Sequence, residues 1–462
     1  MNKLKAFSSA MLMLSVMLAA VGCGSKSSSS YDNPIDEDKK AKLVDTAKDS
    51  GLLTGELGNK TVKWLSTWDI NADASGKKTP ADLALFQEVY GGNIEFYQCT
   101  DSDRYSKLDE YVVSGEGIDF FYAGDMDVFP KFVLKDSSYF TPIDSYIDFD
   151  SELWKDVKDS NDQLEWGGKH YIAVIQPTGD SVACIYNRKT LQEAGLEDPA
   201  ALYANGEWDW DAFEGMLEKF VDTSNNRYGI DSWFFEFGLM NTIGVPPVGI
   251  KDGKLKSYLG TEQMERVQNW IYDMYQKDYI AIGVGSYGWE SKPQYIAEGK
   301  LLFYPSGLYE LYMTKDKWVQ KFGEDVFFVP MPKDPKADKH YIPVGMEAYA
   351  FVSGGQNPEG VAKYLDCKRF CCINDDARSI ADSIFVDDYG WTQEMVDMRE
   401  EMNRLGNEAP IFDVSKGVSA DCGDLLNNSL RNAARGKPWS ETFAEIEGPV
   451  NGYIEDVNKS VS

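Results

Sequence analysis

The chain has 462 residues, and its 75 acidic residues outnumber its 46 basic residues, which gives a formal net charge of −29. A surface of this sign repels phosphate backbones, so it argues against a nucleic-acid partner and against an anionic ligand drawn in by long-range steering. After the N-terminal segment, no apolar run approaches the roughly 20 residues that a transmembrane helix needs. The length suits two domains or one large two-lobed body.

The N-terminus carries a targeting signal. Lys3 and Lys5 precede an apolar run at residues 11–21, which is followed by a glycine and then Cys23. A run of this length is typical of the apolar region of a signal peptide and is too short to span a bilayer. The stretch resembles the bacterial lipoprotein signal, although Ala20 stands where that family prefers leucine. The resemblance implies cleavage after residue 22 and a lipid, such as palmitate, on Cys23. The alternative is an ordinary secretory signal with a chance cysteine.

The polar segment at residues 23–58 begins with five serines in six positions at 25–30. Serine-rich chain buries little apolar surface and behaves as a random coil. We therefore expect a tether over residues 23–58, with the folded part beginning near Thr61.

The remaining cysteines have irregular spacing, and only two histidines accompany them, so no zinc pattern is present. We expect mostly buried thiols with room for one disulfide. These cysteines are Cys99, Cys184, Cys367, Cys371, Cys372 and Cys422.

The first half of the chain alternates short β-rich runs with helical patterns. The sequence predicts strands at residues 61–68, 93–99 and 117–125, separated by helices at 79–92 and 106–115. Such alternation predicts a mostly parallel sheet that is covered on both faces by helices.

The pattern restarts further along. The sequence predicts strands at residues 169–175, 181–187, 300–307, 326–332 and 349–354, and helices at residues 188–196, 209–220, 261–280 and 357–370. In the last helix, Asn357 is the expected N-cap and Pro358 occupies the first helical position. The second run of strands and helices indicates a second α/β unit.

Several motifs occur in an order that resembles a known family. The segment CIYNRKTLQEAGLEDPAALYANGEWDWDAFEGMLEKF at residues 184–220 contains a YN strand, an EAGL helix end and a tryptophan before Phe213. VKWLSTW, GIDFFYAGD, EGKLLFYPSGLYEL and IPVGMEAYAFVSGGQNPEGVAKYL match in the same order, over about residues 60–375. These segments resemble the extracellular solute-binding proteins of ABC importers, family 1, the carbohydrate-binding, maltose-binding-protein-like class. The resemblance makes Trp208 or Trp210, with Phe213, the anchors of one helix.

The resemblance implies the periplasmic-binding-protein-like fold of type II: two lobes, each a mostly parallel sheet flanked by helices, joined by hinge crossings. Mapped onto this chain, the crossings fall near residues 174–180, 329–334 and 375–385. The expected division, after the signal and tether, is given by these boundaries: lobe 1 at 59–175, lobe 2 at 176–331, a return to lobe 1 at 332–380, and a helical part of lobe 2 at 381–462.

Ligands of open parallel sheets bind beyond the carboxyl ends of the strands. Aromatic rings cover the apolar faces of a sugar, and carboxylates accept hydrogen bonds from its hydroxyls. Tyr309 matches the position where the family stacks an aromatic ring on the ligand; each other candidate has a core, turn or cap role as its alternative. The candidate ligand-binding residues are Trp68, Asp69, Tyr122, Asp125, Asp180, Trp233, Trp289, Tyr309 and Glu347.

The expected function is capture of a neutral oligosaccharide outside the membrane and its delivery to an ABC permease. HEXXH, GXSXG and P-loop motifs are absent, so we expect no enzyme activity, no cofactor and no metal site. The expected protein is a monomer, held on the outer face of the cell membrane by its lipid. The alternatives are a surface-tethered carbohydrate-active enzyme, a lipoprotein that feeds a sensor, and the same fold tuned to peptides, polyamines or metal.

Overall fold

The computed structural model describes residues 34–71, 79–134 and 138–460. The predicted signal peptide and Cys23 lie outside the described residues. Within these ranges, no helix combines the length and the apolar character needed to cross a membrane. The fold is mixed α/β, as predicted, with two main sheets and helices packed around them.

The predicted strands and helices occur in the predicted order, with further short elements between them and more helices towards the C-terminus. The strands are β1 (Pro34–Ile35), β2 (Thr61–Ser66), β3 (Thr79–Pro80), β4 (Asn93–Gln98), β5 (Phe120–Tyr122), β6 (Ile172–Thr178), β7 (Ala183–Asn187), β8 (Tyr228–Ile230), β9 (Val248–Lys251), β10 (Lys254–Ser257), β11 (Leu301–Ser306), β12 (Val326–Val329) and β13 (Gly345–Phe351). The helices are α1 (Glu37–Ser50), α2 (Ala81–Tyr90), α3 (Arg104–Ser114), α4 (Lys158–Asp162), α5 (Arg188–Ala194), α6 (Pro199–Ala204), α7 (Trp210–Phe220), α8 (Phe235–Met240), α9 (Glu262–Gln276), α10 (Gln294–Ala297), α11 (Lys315–Phe322), α12 (Pro358–Ile373), α13 (Asp375–Asp387), α14 (Gln393–Glu408), α15 (Ser415–Val418), α16 (Ala420–Ser429) and α17 (Trp439–Lys459).

The first body is built on a five-stranded sheet with the strand order β4-β2-β5-β13-β6. Strands β4, β2 and β5 are parallel, and β13 runs antiparallel to both β5 and β6. The sheet is covered on both faces, so its central strands carry buried side chains in succession. Trp64 of β2 is buried in the core and stacks on Phe120 with ring centroids 5.5 Å apart.

The second body is built on a four-stranded sheet with the order β12-β7-β11-β8. Strands β11 and β8 are parallel, whereas β7 runs antiparallel to both of its neighbours. The chain enters β7 directly from the first body, and after β12 it returns to the first body. These connections account for the directions of the two strands. The expected parallel character therefore holds for the β4-β2-β5 group and the β11-β8 pair.

The chain passes between the bodies three times. Residues 179–182 connect β6 to β7, residues 330–344 connect β12 to β13, and residues 388–392 connect α13 to α14. Helix α13 packs against α1 and α12 of the first body, so we place the third passage after Asp387.

The first passage lies tightly under α14. A Cβ on Gly179 would overlap the carbonyl group of Met402, and the Gly179 amide donates to Asn403 Oδ1 at 2.9 Å. Only glycine allows the two backbones to approach this closely.

Helix α1 changes the expected extent of the tether. The Asp36 side chain accepts a hydrogen bond from the Lys39 amide and caps the helix, and Gly51 ends it with φ of 64°. Leu43 and Val44 are buried, and the helix packs against α2 and α13. The helix therefore belongs to the first body, and the tether predicted for residues 23–58 does not extend across it.

Other structural predictions are confirmed. Trp208, Trp210 and Phe213 are buried around the start of α7, where Trp210 stacks on Trp270 at 4.2 Å. The Asn357 side chain caps α12 by accepting from the Gly360 amide at 2.9 Å. The six cysteines of the described residues are free thiols, so the disulfide that the sequence allowed is absent from this part of the chain.

Candidate functional site

A cleft of about 440 Å³ lies between the two bodies and is bounded by two of the passages. The first body contributes Tyr122, Asp125 and Met126. The second body contributes aromatic side chains, and the segments before and after α16 close one side. These further lining residues include Phe234, Phe237, Tyr309, Tyr312, Phe412, Lys416, Asn427 and Arg431.

Tyr309 occupies the position in the cleft that the sequence predicts. Strand β11 ends at Ser306, and the short helical turn Leu308–Leu311 follows it. The Leu308 amide donates to the Asp180 carbonyl oxygen at 2.9 Å, which ties this turn to the first passage. The Tyr309 ring covers Gly307 and remains 39% exposed. Burial raises the pKa of the Tyr309 hydroxyl, so it stays protonated and can donate.

The aromatic residues of the first body form a perpendicular chain of rings. Trp68 lies 5.2 Å from Trp64 and 5.3 Å from Tyr122, measured between ring centroids. Tyr122 lines the cleft, whereas half-buried Trp68 packs behind it and does not contribute to the lining. Asp69 is also outside the lining and accepts two hydrogen bonds from Asn71, at 3.0 Å and 2.9 Å, within a turn.

The two predicted aspartates, Asp125 and Asp180, line the cleft and already have partners. Asp125 accepts from Arg104 Nη1 at 2.7 Å. Asp180 is 6% exposed, accepts from the Tyr312 hydroxyl at 2.6 Å, and lies 3.8 Å from Arg399 Nε. Both carboxylates therefore enter the cleft with part of their hydrogen-bonding capacity in use.

Glu347 lies outside the cleft. Successive side chains of a strand point to opposite faces, so Met346 lines the cleft while Glu347 points the other way. It lies against a second cavity of about 550 Å³, the rear cavity, which is bounded by Asp82, Glu347, Lys368 and residues of α13 and α14. Glu347 is buried, pairs with Lys368 Nζ at 2.8 Å and accepts from the Tyr349 hydroxyl at 3.0 Å. Glu347 therefore does not line the cleft with the other predicted residues, because its side chain points to the opposite face of the sheet.

Trp233 and Trp289 lie on two exposed loops of the second body. Their side chains are 56% and 76% exposed, and neither lines the cleft, although the neighbouring Phe234 does. Asp231 holds the loops together because its carboxylate accepts from Ser291 Oγ at 3.1 Å and from the Lys292 amide at 2.6 Å.

Helix α15 brings the second body against the first body beside the cleft. Helix α15 packs on α16 and α17, and the Val414 amide before it donates to Val248 of β9. Gly417 of α15 contacts the carbonyl group of Phe129, and its own carbonyl oxygen accepts from the Lys131 amide at 3.0 Å. A side chain at residue 417 would prevent this approach.

Glu236 of α8 is a buried acid that does not line the cleft, although its neighbours Phe234 and Phe237 do. Burial raises its pKa to about 7, and Arg431 and Arg435 offset only part of that effect. Its Oε2 atom has no hydrogen-bond partner among the described residues.

We expect Glu236→Gln to stabilise the protein increasingly as the pH rises. The folded-state pKa lies above the ordinary value of 4.5, so the stability linked to the bound proton is complete below pH 4.5 and is lost as the pH rises through about 7. The free energy of unfolding of the variant, relative to the unmodified protein, should rise by roughly 2–3 kcal/mol between pH 4.5 and 7.5. Urea melts at several pH values measure this difference in the free energy of unfolding, and the exposed-site variant Glu207→Gln is the control. A difference that does not change with pH would contradict the assignment.

Two α/β bodies joined by three passages, with a cleft between them, define a two-domain binding protein. The chain belongs to the bacterial extracellular solute-binding protein family, whose model matches residues 68–367. This family consists of binding proteins. A search of curated proteins finds no match to the chain.

Solved structures share the fold at low sequence identity. The extracellular solute-binding protein of Staphylococcus aureus in complex with maltose has a TM-score of 0.58 at 13% identity, covering 87% of this chain and 99% of that chain. The GacH receptor of Streptomyces glaucescens, solved unliganded and with acarbose, has a TM-score of 0.56 at 13% identity, covering 86% and 98%. The galacto-N-biose-/lacto-N-biose I-binding protein of the ABC transporter of Bifidobacterium longum, with lacto-N-biose, has a TM-score of 0.56 at 13% identity, covering 87% and 96%.

The sequence did not identify the part of the cleft formed by the C-terminal helices. Phe412, Lys416, Asn427 and Arg431 lie beyond residue 375, where the resemblance to the family fades. Phe234 belongs to the aromatic run FFEFG, and that run was the one available signal for it.

Proposed function

We propose that this protein captures an oligosaccharide outside the cell and delivers it, unaltered, to the permease of an ABC importer. The observation that carries the proposal is the cleft of about 440 Å³, to which both bodies contribute aromatic and polar side chains. A cavity of this size falls in the range of small-molecule sites and can hold a short saccharide.

The side chains of the cleft suit the two kinds of surface that a sugar presents. Tyr309, Phe234 and Phe412 offer apolar ring faces to the C–H faces of the pyranose ring. Asp180 and Asn427 offer polar groups to its hydroxyls. A hydrogen bond to a charged group contributes roughly 1.5–3 kcal/mol, so a few such bonds give selectivity once water is excluded.

The named ligands of the structural neighbours support a saccharide. Maltose, acarbose and lacto-N-biose are bound by the three proteins described above. Trp233 precedes the cleft residue Phe234, and Trp289 lies on the loop that Asp231 ties to the same segment, so the two exposed rings would contact the end of a longer chain. Trp68 would support the Tyr122 ring from behind.

The proposal includes a lipid anchor on Cys23 and an ABC permease as the partner. A lipid on Cys23 would hold a monomer at the outer face of the cell membrane, close to the permease. Metabolic labelling with an alkyne fatty acid, comparing the unmodified precursor with Cys23→Ser, tests the anchor. Loss of the label in the variant is expected, and equal labelling of the two proteins would contradict it.

A thermal-shift panel of oligosaccharides tests the proposed function. A ligand that binds only the folded state stabilises it by about 2.7 kcal/mol at one hundred times its Kd, so a bound sugar raises the melting midpoint. Thin-layer chromatography of the same mixtures should show the sugar unchanged. No shift with any sugar would contradict the binding function, and cleavage would favour a surface-tethered carbohydrate-active enzyme.

We expect Tyr309→Ala to weaken binding of the best sugar in that panel by about thirtyfold. Removal of a central aromatic contact costs on the order of 2 kcal/mol. Tyr309→Phe keeps the ring, so its affinity should stay within about threefold of the unmodified protein. Isothermal titration calorimetry measures both variants. Equal affinity of Tyr309→Ala and the unmodified protein would place the sugar elsewhere.

A further inference from the structure

The charged side chains of the cleft divide into acids that have partners and bases that have none. Asp125 pairs with Arg104, Asp180 accepts from Tyr312, and Asp413 accepts from the Ser415 amide at 3.0 Å. Lys416 and Arg431 also line the cleft. Within residues 34–71, 79–134 and 138–460, neither base forms an ion pair or a hydrogen bond.

Arg431 is held at the cleft by an aromatic ring and not by a carboxylate. It follows α16, is half-buried, and its guanidinium lies 4.9 Å from the centroid of the Phe237 ring. Its Nε atom is buried and has no acceptor in the described part of the chain. Glu236 acts on it only through space, and the raised pKa of that acid makes it partly neutral near pH 7. Much of the positive charge at Arg431 is therefore uncompensated.

Lys416 presents a second positive charge from the same side of the cleft. It belongs to α15, the helix that contacts the first body through Gly417, and its side chain is exposed. The nearby Asp413 interacts with it at a distance, without direct pairing. Among the described residues, the charged groups of the lining that lack a partner are both cations.

We propose that the saccharide bound in this cleft carries an anionic oxygen group, such as the carboxylate of a uronic acid, which Lys416 and Arg431 receive. This inference rests on the proposed function and adds the charge class of the ligand. A planar guanidinium offers parallel N–H donors that match a carboxylate, and the ammonium group adds a point charge. A neutral sugar would cover the half-buried Arg431 guanidinium without supplying a counter-charge.

The net charge of −29 opposes long-range attraction of such a ligand, as the composition indicates. Contacts within the cleft act over a few ångströms, whereas charges further away than about 8 Å are largely screened at physiological ionic strength. The anionic group would therefore be held by short-range contacts and would contribute to slow dissociation more than to fast association.

A matched pair of sugars separates charge from shape. Trigalacturonate and its methyl ester share one backbone and differ in charge, and a sulfated galacto-oligosaccharide with its unsulfated parent gives a second pair. All four are titrated into the full-length protein by calorimetry, next to a panel of other neutral oligosaccharides. We expect an acidic sugar to bind at least tenfold more tightly than its neutral counterpart.

Variants connect that preference to the two bases. Arg431→Gln should weaken binding of the acidic sugar by about ten- to hundredfold and Lys416→Gln by about tenfold, and neither should alter binding of the neutral sugar to the same degree. Lys254→Gln, which changes an exposed lysine outside the cleft lining, is the control. Neutral sugars that bind as tightly as acidic ones, with both variants unchanged, would overturn this inference and leave the proposed function intact. Absence of binding by every sugar would instead count against the proposed function, and this inference would fail with it.

Discussion

Replacing Gly417 by alanine is expected to weaken ligand binding about a hundredfold. Gly417 lies where α15 of the second body meets the segment Met126–Lys131 of the first body, and a Cβ there would overlap the carbonyl oxygen of Phe129. Backbone atoms cannot yield as a flexible side chain does, so the two bodies must separate on that side of the cleft. Overpacking of this kind costs up to about 3 kcal/mol. If the ligand binds only when α15 contacts the first body, that cost lowers the population of the binding-competent state, and the affinity falls by the same factor.

Gly448→Ala is the matched control, because Gly448 lies within a helix and a Cβ there meets no atom within 4 Å. Calorimetry with the best sugar measures affinity, and thermal melts without ligand show whether each variant is folded. We expect Gly417→Ala to melt within a few degrees of the unmodified protein while its affinity for the sugar falls. Unchanged affinity would mean that α15 does not close the cleft on the ligand.

Replacing Lys368 by methionine is expected to lower the free energy of unfolding by about 3–5 kcal/mol. Lys368 of α12 is 4% exposed and pairs with both Asp82 and Glu347, which are buried as well. Burial lowers the pKa of Lys368, but the two carboxylates more than offset this and hold its pKa well above the usual range. Methionine fills the space and leaves two buried carboxylates without a counter-charge.

Lys107→Met is the control for this prediction, because Lys107 and Glu110 form an exposed pair and such pairs contribute less than about 1 kcal/mol. Adding Glu347→Gln to Lys368→Met should restore part of the loss, since one of the two orphaned charges disappears. Urea melts measure all of these variants. A loss below about 1 kcal/mol in Lys368→Met would show that the cluster is solvated, and would reopen a ligand-binding role for Glu347.

The sequence predicts the order of the elements well because local signals decide it. Strand β2 is a short β-rich run, α2 ends at Gly91 with φ of 63°, and α12 begins at Asn357 and Pro358 as expected. These signals come from periodicity and backbone conformation within a few residues. The direction of β7 depends on its entry from the other body, so the local pattern does not contain it.

The sequence predicts the cleft only in part. Tyr309 follows the end of β11 and Tyr122 is the last residue of β5, so the rule that ligands bind at the carboxyl ends of strands identifies both as cleft residues. Glu347 lies near the amino end of β13, which is antiparallel to β5 and so begins at the same edge of the sheet. Its side chain points to the opposite face from Met346, and the sequence, which suggests a turn here, does not reveal this. Lys416 and Arg431 reach the cleft through the packing of short C-terminal helices, and tertiary packing of this kind produces no periodic pattern in the sequence.

The two ends of the expected tether also show that local sequence does not reveal which surfaces pack together. Its serine-rich beginning gives a compositional signal, whereas residues 37–50 read as polar because a single stripe with Leu43, Val44 and Ala47 is buried. Whether such a stripe docks depends on the surface it meets, here α2 and α13.

A crystal structure of the protein with the sugar that gives the largest thermal shift is the decisive test of the binding site. We expect an intact saccharide in the cleft between the bodies, with a ring on Tyr309, contacts from Tyr122 and Phe412, and α15 against the first body. A sugar found in the rear cavity or on the outer surface, or one cleaved into products, would contradict it.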